Sequence, residues 1–164
     1  MTISLRPMLP ADLAALQNLF RESIAVLAEE DYSEDQCAAW ASRADAPAFA
    51  KTLSENLTLL ALQDGELAGF ATLKGQESIE MLYVAPEHAR EGVATALVDA
   101  LERLAAARGS TALSVDASET AQPLFEKRRF VAQKRNSIAL GDVWLANTTM
   151  LKKLAPSVTT SAMQ

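Results

Sequence analysis

The chain is short of the residues that build metal centres and cross-links. Of its 164 residues one is cysteine, Cys37, and one is histidine, His88. A lone thiol excludes an internal disulfide, and one thiol plus one imidazole fall short of a zinc ligand set, so no metal is expected. Cys37 runs into Ala38, Ala39 and Trp40 on an expected helix with no imidazole beside it, which reads as an inert buried thiol. Long apolar runs are also missing. No stretch approaches the length that crosses a bilayer, and Met1 to Pro7 carries no charged segment followed by an apolar one, so a cytoplasmic protein without a membrane partner is expected. Positive charge is scarce as well: 15 Lys and Arg against 21 Asp and Glu give a net charge of −6, which argues against nucleic acid, since phosphate neutralisation needs a basic stripe. Such a balance is compatible with a cationic amine as partner.

What is present is a hydrophobic share of 49%, enough for a substantial core in one domain over residues 1–154, followed by a polar tail over 155–164. Ile3 to Arg6 reads as a strand stopped by Pro7 and Pro10. From Asp12 the apolar positions Leu13, Leu16, Leu19, Phe20, Ile24 and Leu27 recur at helical spacing. Ser33 to Gln36 reads as a capping box opening a second helix, and a third is expected from Ala46 to Leu53. The period then changes to two: Leu57 to Leu62 and Leu67 to Leu73 flank Asp64-Gly65, a pair suited to a tight hairpin. Ile79 to Val84 is a further strand, and Val93 to Leu104 a helix ending near Gly109. Thr111 to Val115, a short helix from Ala121 to Lys127, and an antiparallel pair around Gly141-Asp142 complete the chain.

One junction carries chemistry. Between a strand and a helix stands Ala89-Arg90-Glu91-Gly92-Val93-Ala94, and a helix start exposes backbone N–H groups and a partial positive charge suited to phosphate oxygens. Gly92 admits conformations closed to other residues, and Ala94 keeps the next turn low. Alone, the same six residues also fit an ordinary helix start.

Its surroundings resemble the GNAT superfamily of acetyl-CoA-dependent acetyltransferases. Two segments carry the resemblance: Leu82 to Glu87 leading into Gly92-Val93-Ala94-Thr95-Ala96-Leu97, similar to that family's Arg/Gln-x-x-Gly-x-Gly/Ala loop, and Ser118 to Phe130, similar to its segment ending in a short helix and Gly-Phe. Asp31-Tyr32-Ser33 with Trp40, Asp116-Ala117-Ser118, and Asn147 with Met150 further resemble the YafP-like branch. The resemblance implies an α+β fold: a mixed, mostly antiparallel sheet of about seven strands, splayed between the fourth and fifth, with helices on both faces. It implies acetyl-CoA as co-substrate and a small-molecule or peptide amine as acceptor. Backbone groups of Leu82, Tyr83 and Val84 would meet the pantetheine as a neighbouring strand would. N–H groups of Arg90, Glu91, Gly92, Val93, Ala94 and Thr95 would hold the pyrophosphate, with Arg90 and Lys127 adding charge. Ser118 would stand near the pantetheine or cap the short helix. Phe125 falls in the same cofactor-binding segment, and a backbone N–H near Val84 would stabilise the oxyanion.

Three departures from that pattern matter. Phe125 stands where many members have a tyrosine that protonates the departing thiolate, so the acid must be found elsewhere or dispensed with. Tyr32 and Tyr83 are the only phenols, and either serves as the missing acid if its hydroxyl reaches the sulfur; Tyr32 also suits the acceptor site, beside Asp31 and Trp40, or plain packing. Ala89 replaces the first motif side chain, and Arg129 replaces the glycine before Phe130, which demands either a left-handed conformation costing about 1 kcal/mol or a different turn. An amine of pKa about 10.4 is only about one part in 10³ neutral at pH 7, so a base is useful. Glu80 is the leading candidate, on the expectation that it shares a strand face with Leu82 and Val84; it also fits a solvated carboxylate. Asp116 is a second base or an orienting group. Trp40 and Trp144 read as core aromatics. Asn147 suits either the acceptor or the sheet. A non-catalytic acyl-CoA-binding module remains the alternative, and a homodimer through the last hairpin is open.

Overall fold

The structure, a computed structural model, describes residues 2–155. All seven strands join one sheet in the order β1-β2-β3-β4-β5-β7-β6. They are β1 (Ile3–Pro7), β2 (Leu57–Gln63), β3 (Glu66–Lys74), β4 (Ser78–Val84), β5 (Ala112–Ser118), β6 (Val131–Leu140) and β7 (Val143–Lys153). Every pairing is antiparallel except β4 with β5. Among the described residues five α-helices accompany it: α1 (Leu13–Leu27), α2 (Glu34–Ala41), α3 (Pro47–Glu55), α4 (Val93–Ala107) and α5 (Gln122–Lys127). The polar tail expected over 155–164 lies, Ala155 apart, outside the described residues.

Local chemistry sets most boundaries. Ser33 accepts from the Gln36 backbone N–H while the Gln36 side chain accepts from the Ser33 N–H, the reciprocal box that opens α2. Asp64 and Gly65 both take positive φ, +50° and +89°, as a two-residue hairpin requires. Arg129 takes φ +72° at the end of α5, the left-handed alternative, where the Phe130 N–H closes on the Phe125 carbonyl at 2.9 Å.

The sheet separates two cores. Leu97 and Leu101 of α4 and Phe125 of α5 pack on one face with Leu113 and Met150; Leu16, Phe20 and Ile24 of α1 and Leu53 of α3 pack on the other with Phe70. Full burial of each such side chain contributes about 1.5–3 kcal/mol. Gly69 brings the first layer close: a Cβ there would stand 2.9 Å from both the Tyr83 carbonyl oxygen and Val93 Cγ1, so its absence lets the start of α4 sit on β3. Trp144, expected in the core, is 63% exposed, because β7 turns it outward beside the last hairpin. No helix among the described residues is long and apolar enough to cross a membrane.

Candidate active site

Two features of β4 create the site. Its register against β3 jumps from Leu73↔Ile79 to Thr72↔Met81, leaving Glu80 as an extra, unpaired residue. Ile79, Leu82 and Val84 accordingly pack on the α4 side, Met81 and Tyr83 on the α1 side. The parity of alternation therefore changes between Ile79 and Met81, and Glu80, expected to share a face with Leu82 and Val84, stands at the change. Second, β4 meets β5 only at Ser78↔Ser114 and Ile79↔Val115. Beyond Ile79 the strands diverge, and the backbone edge of β4 from Glu80 to Val84 has no strand partner on that side.

Two cavities open into this gap and share Trp40, Leu82, Tyr83, Ser118 and Ala121. The first, about 580 Å³, lies at the start of α4. Gly92 caps that helix at φ +87°, and Arg90 before it also takes a left-handed φ of +62°. The value of Gly92 is conformational, since an added Cβ there would meet nothing within 4 Å. Arg90, Gly92, Val93, Ala94 and Thr95 line the cavity from the loop, Leu82, Tyr83 and Val84 from the strand, and Ser118 and Lys127 from the opposite wall. Ser118 Oγ also accepts from the Ala121 N–H at 3.1 Å, a turn bond just ahead of α5 rather than the helix cap expected for it, since the N-cap residue is Ala121 and carries no side-chain cap. Two residues assigned to the cofactor by sequence are absent from this lining, although for Glu91 the assigned group is its backbone N–H and not its side chain. Glu91 turns to His88, Oε1 to Nδ1 at 2.9 Å, and Phe125 is buried against the Phe130 ring on the floor of the second cavity.

The second cavity, about 420 Å³, fills the gap itself. Glu80 and Asp116 both line it, one from each diverging strand, and Asp116 accepts from Thr149 Oγ1 at 2.6 Å. Asn147 lines it too, its Oδ1 accepting from Asn136 Nδ2. Tyr32, Trp40 and Tyr83 form an aromatic wall, with ring centroids 5.4 Å apart for Tyr32 and Trp40 and 6.2 Å for Trp40 and Tyr83. The two phenols differ sharply. Tyr32 donates to the Ala146 carbonyl at 2.7 Å and accepts from the Glu119 N–H at 2.9 Å, tying the α1–α2 loop to β7 and to the segment after β5. Thr120 strengthens the same tie by donating to Asp31 at 2.8 Å. Tyr83 accepts from the Trp40 indole N–H at 3.2 Å, and its own proton has no acceptor among the described residues. Burial pushes the Tyr83 hydroxyl up to about 12, against the lowering effects of Trp40 and Arg43, so it stays protonated at any ordinary pH. Burial raises Tyr32 too.

Sequence reading offered Trp40 as an acceptor-site residue only beside Tyr32, and it missed both the pairing of Trp40 with Tyr83 and the cavity role of Arg43. Trp40 has one aromatic neighbour, Tyr32, on the preceding loop, but Tyr83 comes from a distant strand, so no local spacing announces the cluster. Among the described residues no group of three or more His, Cys, Asp or Glu side chains is placed to hold a metal ion.

Comparison with known proteins agrees with this geometry. The family described as "Acetyltransferase (GNAT) domain" matches residues 28–152. The uncharacterized N-acetyltransferase YafP of Escherichia coli strain K12 is 31% identical over 151 residues, 92% of this chain and 96% of that protein. A GCN5-related N-acetyltransferase crystal structure from Rhodopseudomonas palustris superposes with a TM-score of 0.90 at 50% identity, over 94% of this chain and 97% of that one. The PaiA N-acetyltransferase of Thermoplasma acidophilum, solved with coenzyme A, shares the fold at a TM-score of 0.76 and 20% identity, over 93% and 99% of the two chains.

Proposed function

Since the chain belongs to the GNAT family of acetyltransferases, in its YafP-like branch, we propose that it moves the acetyl group of acetyl-CoA onto an amine by direct attack, both substrates being bound at once. The observation that carries this reading is the unpaired edge of β4 running from Glu80 to Val84 and ending beside the Gly92 loop. A strand edge with free N–H and C=O groups suits the amides of pantetheine, and a left-handed glycine at a helix start suits a pyrophosphate. In this reading Leu82, Tyr83 and Val84 hold the pantetheine. The N–H groups from Arg90 to Thr95 hold the pyrophosphate, with Arg90 and Lys127 supplying positive charge. Ser118 faces the pantetheine from β5.

The second cavity then receives the acceptor. A primary amine arrives largely as its ammonium form and must lose a proton to attack. Glu80 takes that proton, directly or through a water, and Asp116 on the facing strand orients the amine. Those roles are supported by the cavity that both carboxylates line. A backbone N–H at Val84 opposes the charge that develops on the carbonyl oxygen. Protonation of the departing thiolate falls to Tyr83 in this reading, because Phe125 has no hydroxyl and the Tyr32 proton is engaged by Ala146. A thiol of pKa about 8.5 is a fair leaving group, so this acid assists the step without being indispensable.

A cytoplasmic setting and pairing of two copies through the last hairpin belong to the same proposal. The exposed Trp144 and the open outer edge of β6 support the pairing, and the mass in solution tests it.

Two measurements test the function. Acetyl-CoA at about 100 times its Kd is expected to stabilise the fold by about 2.7 kcal/mol, raising the melting temperature. Free thiol is expected to appear when a suitable amine is added. Stabilisation with no thiol release across a broad amine panel would favour a non-catalytic acyl-CoA-binding module.

A further inference from the structure

The acceptor cavity carries a charge pattern that narrows the acceptor. Of the nine arginines, Arg6, Arg21, Arg103, Arg128 and Arg135 each pair with an acidic side chain. Among the described residues, Arg43, Arg90, Arg108 and Arg129 have no such partner, in a chain with six more acidic than basic side chains. Arg90 lines the cavity at the start of α4, and Arg43 lines the other; Arg108 and Arg129 line neither. Arg43 stands one helical turn past Trp40 and, though exposed, lines the same cavity as the aromatic wall of Tyr32, Trp40 and Tyr83. The diverging strands contribute Glu80 and Asp116 to the same space. One cavity therefore offers two carboxylates for an ammonium group and one free guanidinium, a planar fork suited to a carboxylate. A volume of about 420 Å³ suits a small ligand.

We propose that the acceptor is a small amine that also carries a carboxylate, an amino acid or a close relative, with Arg43 binding the carboxylate while Glu80 and Asp116 receive the amino group. The inference rests on the acetyltransferase reading. Arg43 is a specificity-determining residue in it: it leaves the reacting nitrogen and the thioester to other groups, and its removal costs affinity for the carboxylate alone.

The test titrates the CoA-loaded protein with the common amino acids and with their decarboxylated amines, for instance phenylalanine against phenethylamine. At least one amino acid is expected to bind about tenfold or more tightly than its decarboxylated counterpart, the size of one charge-assisted contact. Arg43→Gln is expected to remove that preference while leaving the affinity for the amine, the thermal stability and the binding of acetyl-CoA unchanged. Arg43→Lys is expected to keep part of it. Equal binding of the two members of every pair, a preference that survives Arg43→Gln, or no binding by any amino acid would each overturn the inference. Those outcomes, with acetyl-CoA still bound, leave the acetyltransferase reading standing; failure to bind acetyl-CoA would remove both.

Discussion

The Tyr83 hydroxyl accepts the Trp40 indole N–H at 3.2 Å and keeps its own proton uncommitted where the two cavities meet. A part-buried phenol held neutral, with its hydroxyl anchored from one side, suits the donor role proposed for it toward a group arriving in the gap. Tyr83→Phe preserves the ring and its edge contacts with Phe20 and Phe70 while removing that proton. The expected outcome is a fall in kcat of about 10²-fold, the lower end of general acid catalysis, with acetyl-CoA affinity nearly unchanged. Adding Phe125→Tyr to that variant is expected to restore part of the rate, because the Phe125 ring lines the same cavity. Steady-state rates of the three proteins decide it.

Tyr32 is expected to behave differently although it stands on the same wall. Its hydroxyl is used twice, toward Ala146 and Glu119, in joining the α1–α2 loop to the sheet. Tyr32→Phe strands both partners and is expected to cost about 1–3 kcal/mol of stability in a denaturant titration. Its pH profile is expected to keep the wild-type shape, because no proton in flight is lost. A loss of rate equal to that of Tyr83→Phe with no loss of stability would exchange the two roles.

Glu80→Gln removes the carboxylate proposed as the base and is expected to lower kcat/KM about 10²-fold near neutral pH. The deficit is expected to shrink as the pH rises toward the amine's own pKa of about 10.4, since more acceptor then arrives already neutral. Asp116→Asn is expected to cost less, because Thr149 still supplies a hydrogen bond to an amide oxygen. A pH–rate profile for each variant with one amine acceptor provides the comparison.

Two glycines separate positioning from conformation. Gly69→Ala pushes a Cβ against Tyr83 backbone and Val93, both 2.9 Å away, and is expected to cost about 1–3 kcal/mol while displacing the start of α4. Gly92→Ala meets open space and pays mainly for its positive φ, about 1 kcal/mol. Thermal denaturation is expected to rank Gly69→Ala as the less stable. Acetyl-CoA titration is expected to show weaker binding in both.

What could be read from the chain follows the range of each interaction. Asp64-Gly65 and the Ser33–Gln36 box are contained within a few residues, and the sequence shows them; at Arg129 it leaves a left-handed residue and a different turn both open. The helical spacing of Leu16, Phe20 and Ile24, or of Val93, Leu97 and Leu101, declares which side is buried. Glu80 was harder: its bulge depends on how β3 happens to pair with β4, and the reversal of parity across it cannot be counted from β4 alone. The aromatic wall joins Tyr32, Trp40 and Tyr83 over 43 to 51 residues of chain, and the Tyr32 clamp reaches Ala146, 114 residues on. Trp144 illustrates the opposite error, an aromatic assigned to the core that a strand turns to solvent. Arg43 carries no motif, and only the lack of an acidic partner beside the cavity marks it.

A crystal structure of the protein with coenzyme A tests the central claim most directly. The expected result has pantetheine amides hydrogen-bonded along the free edge of β4 between Leu82 and Val84, with pyrophosphate oxygens on the N–H groups from Arg90 to Thr95. The sulfur is expected within hydrogen-bonding reach of the Tyr83 hydroxyl. Coenzyme A bound away from the β4–β5 gap, or a gap closed by strand pairing in its presence, would contradict it.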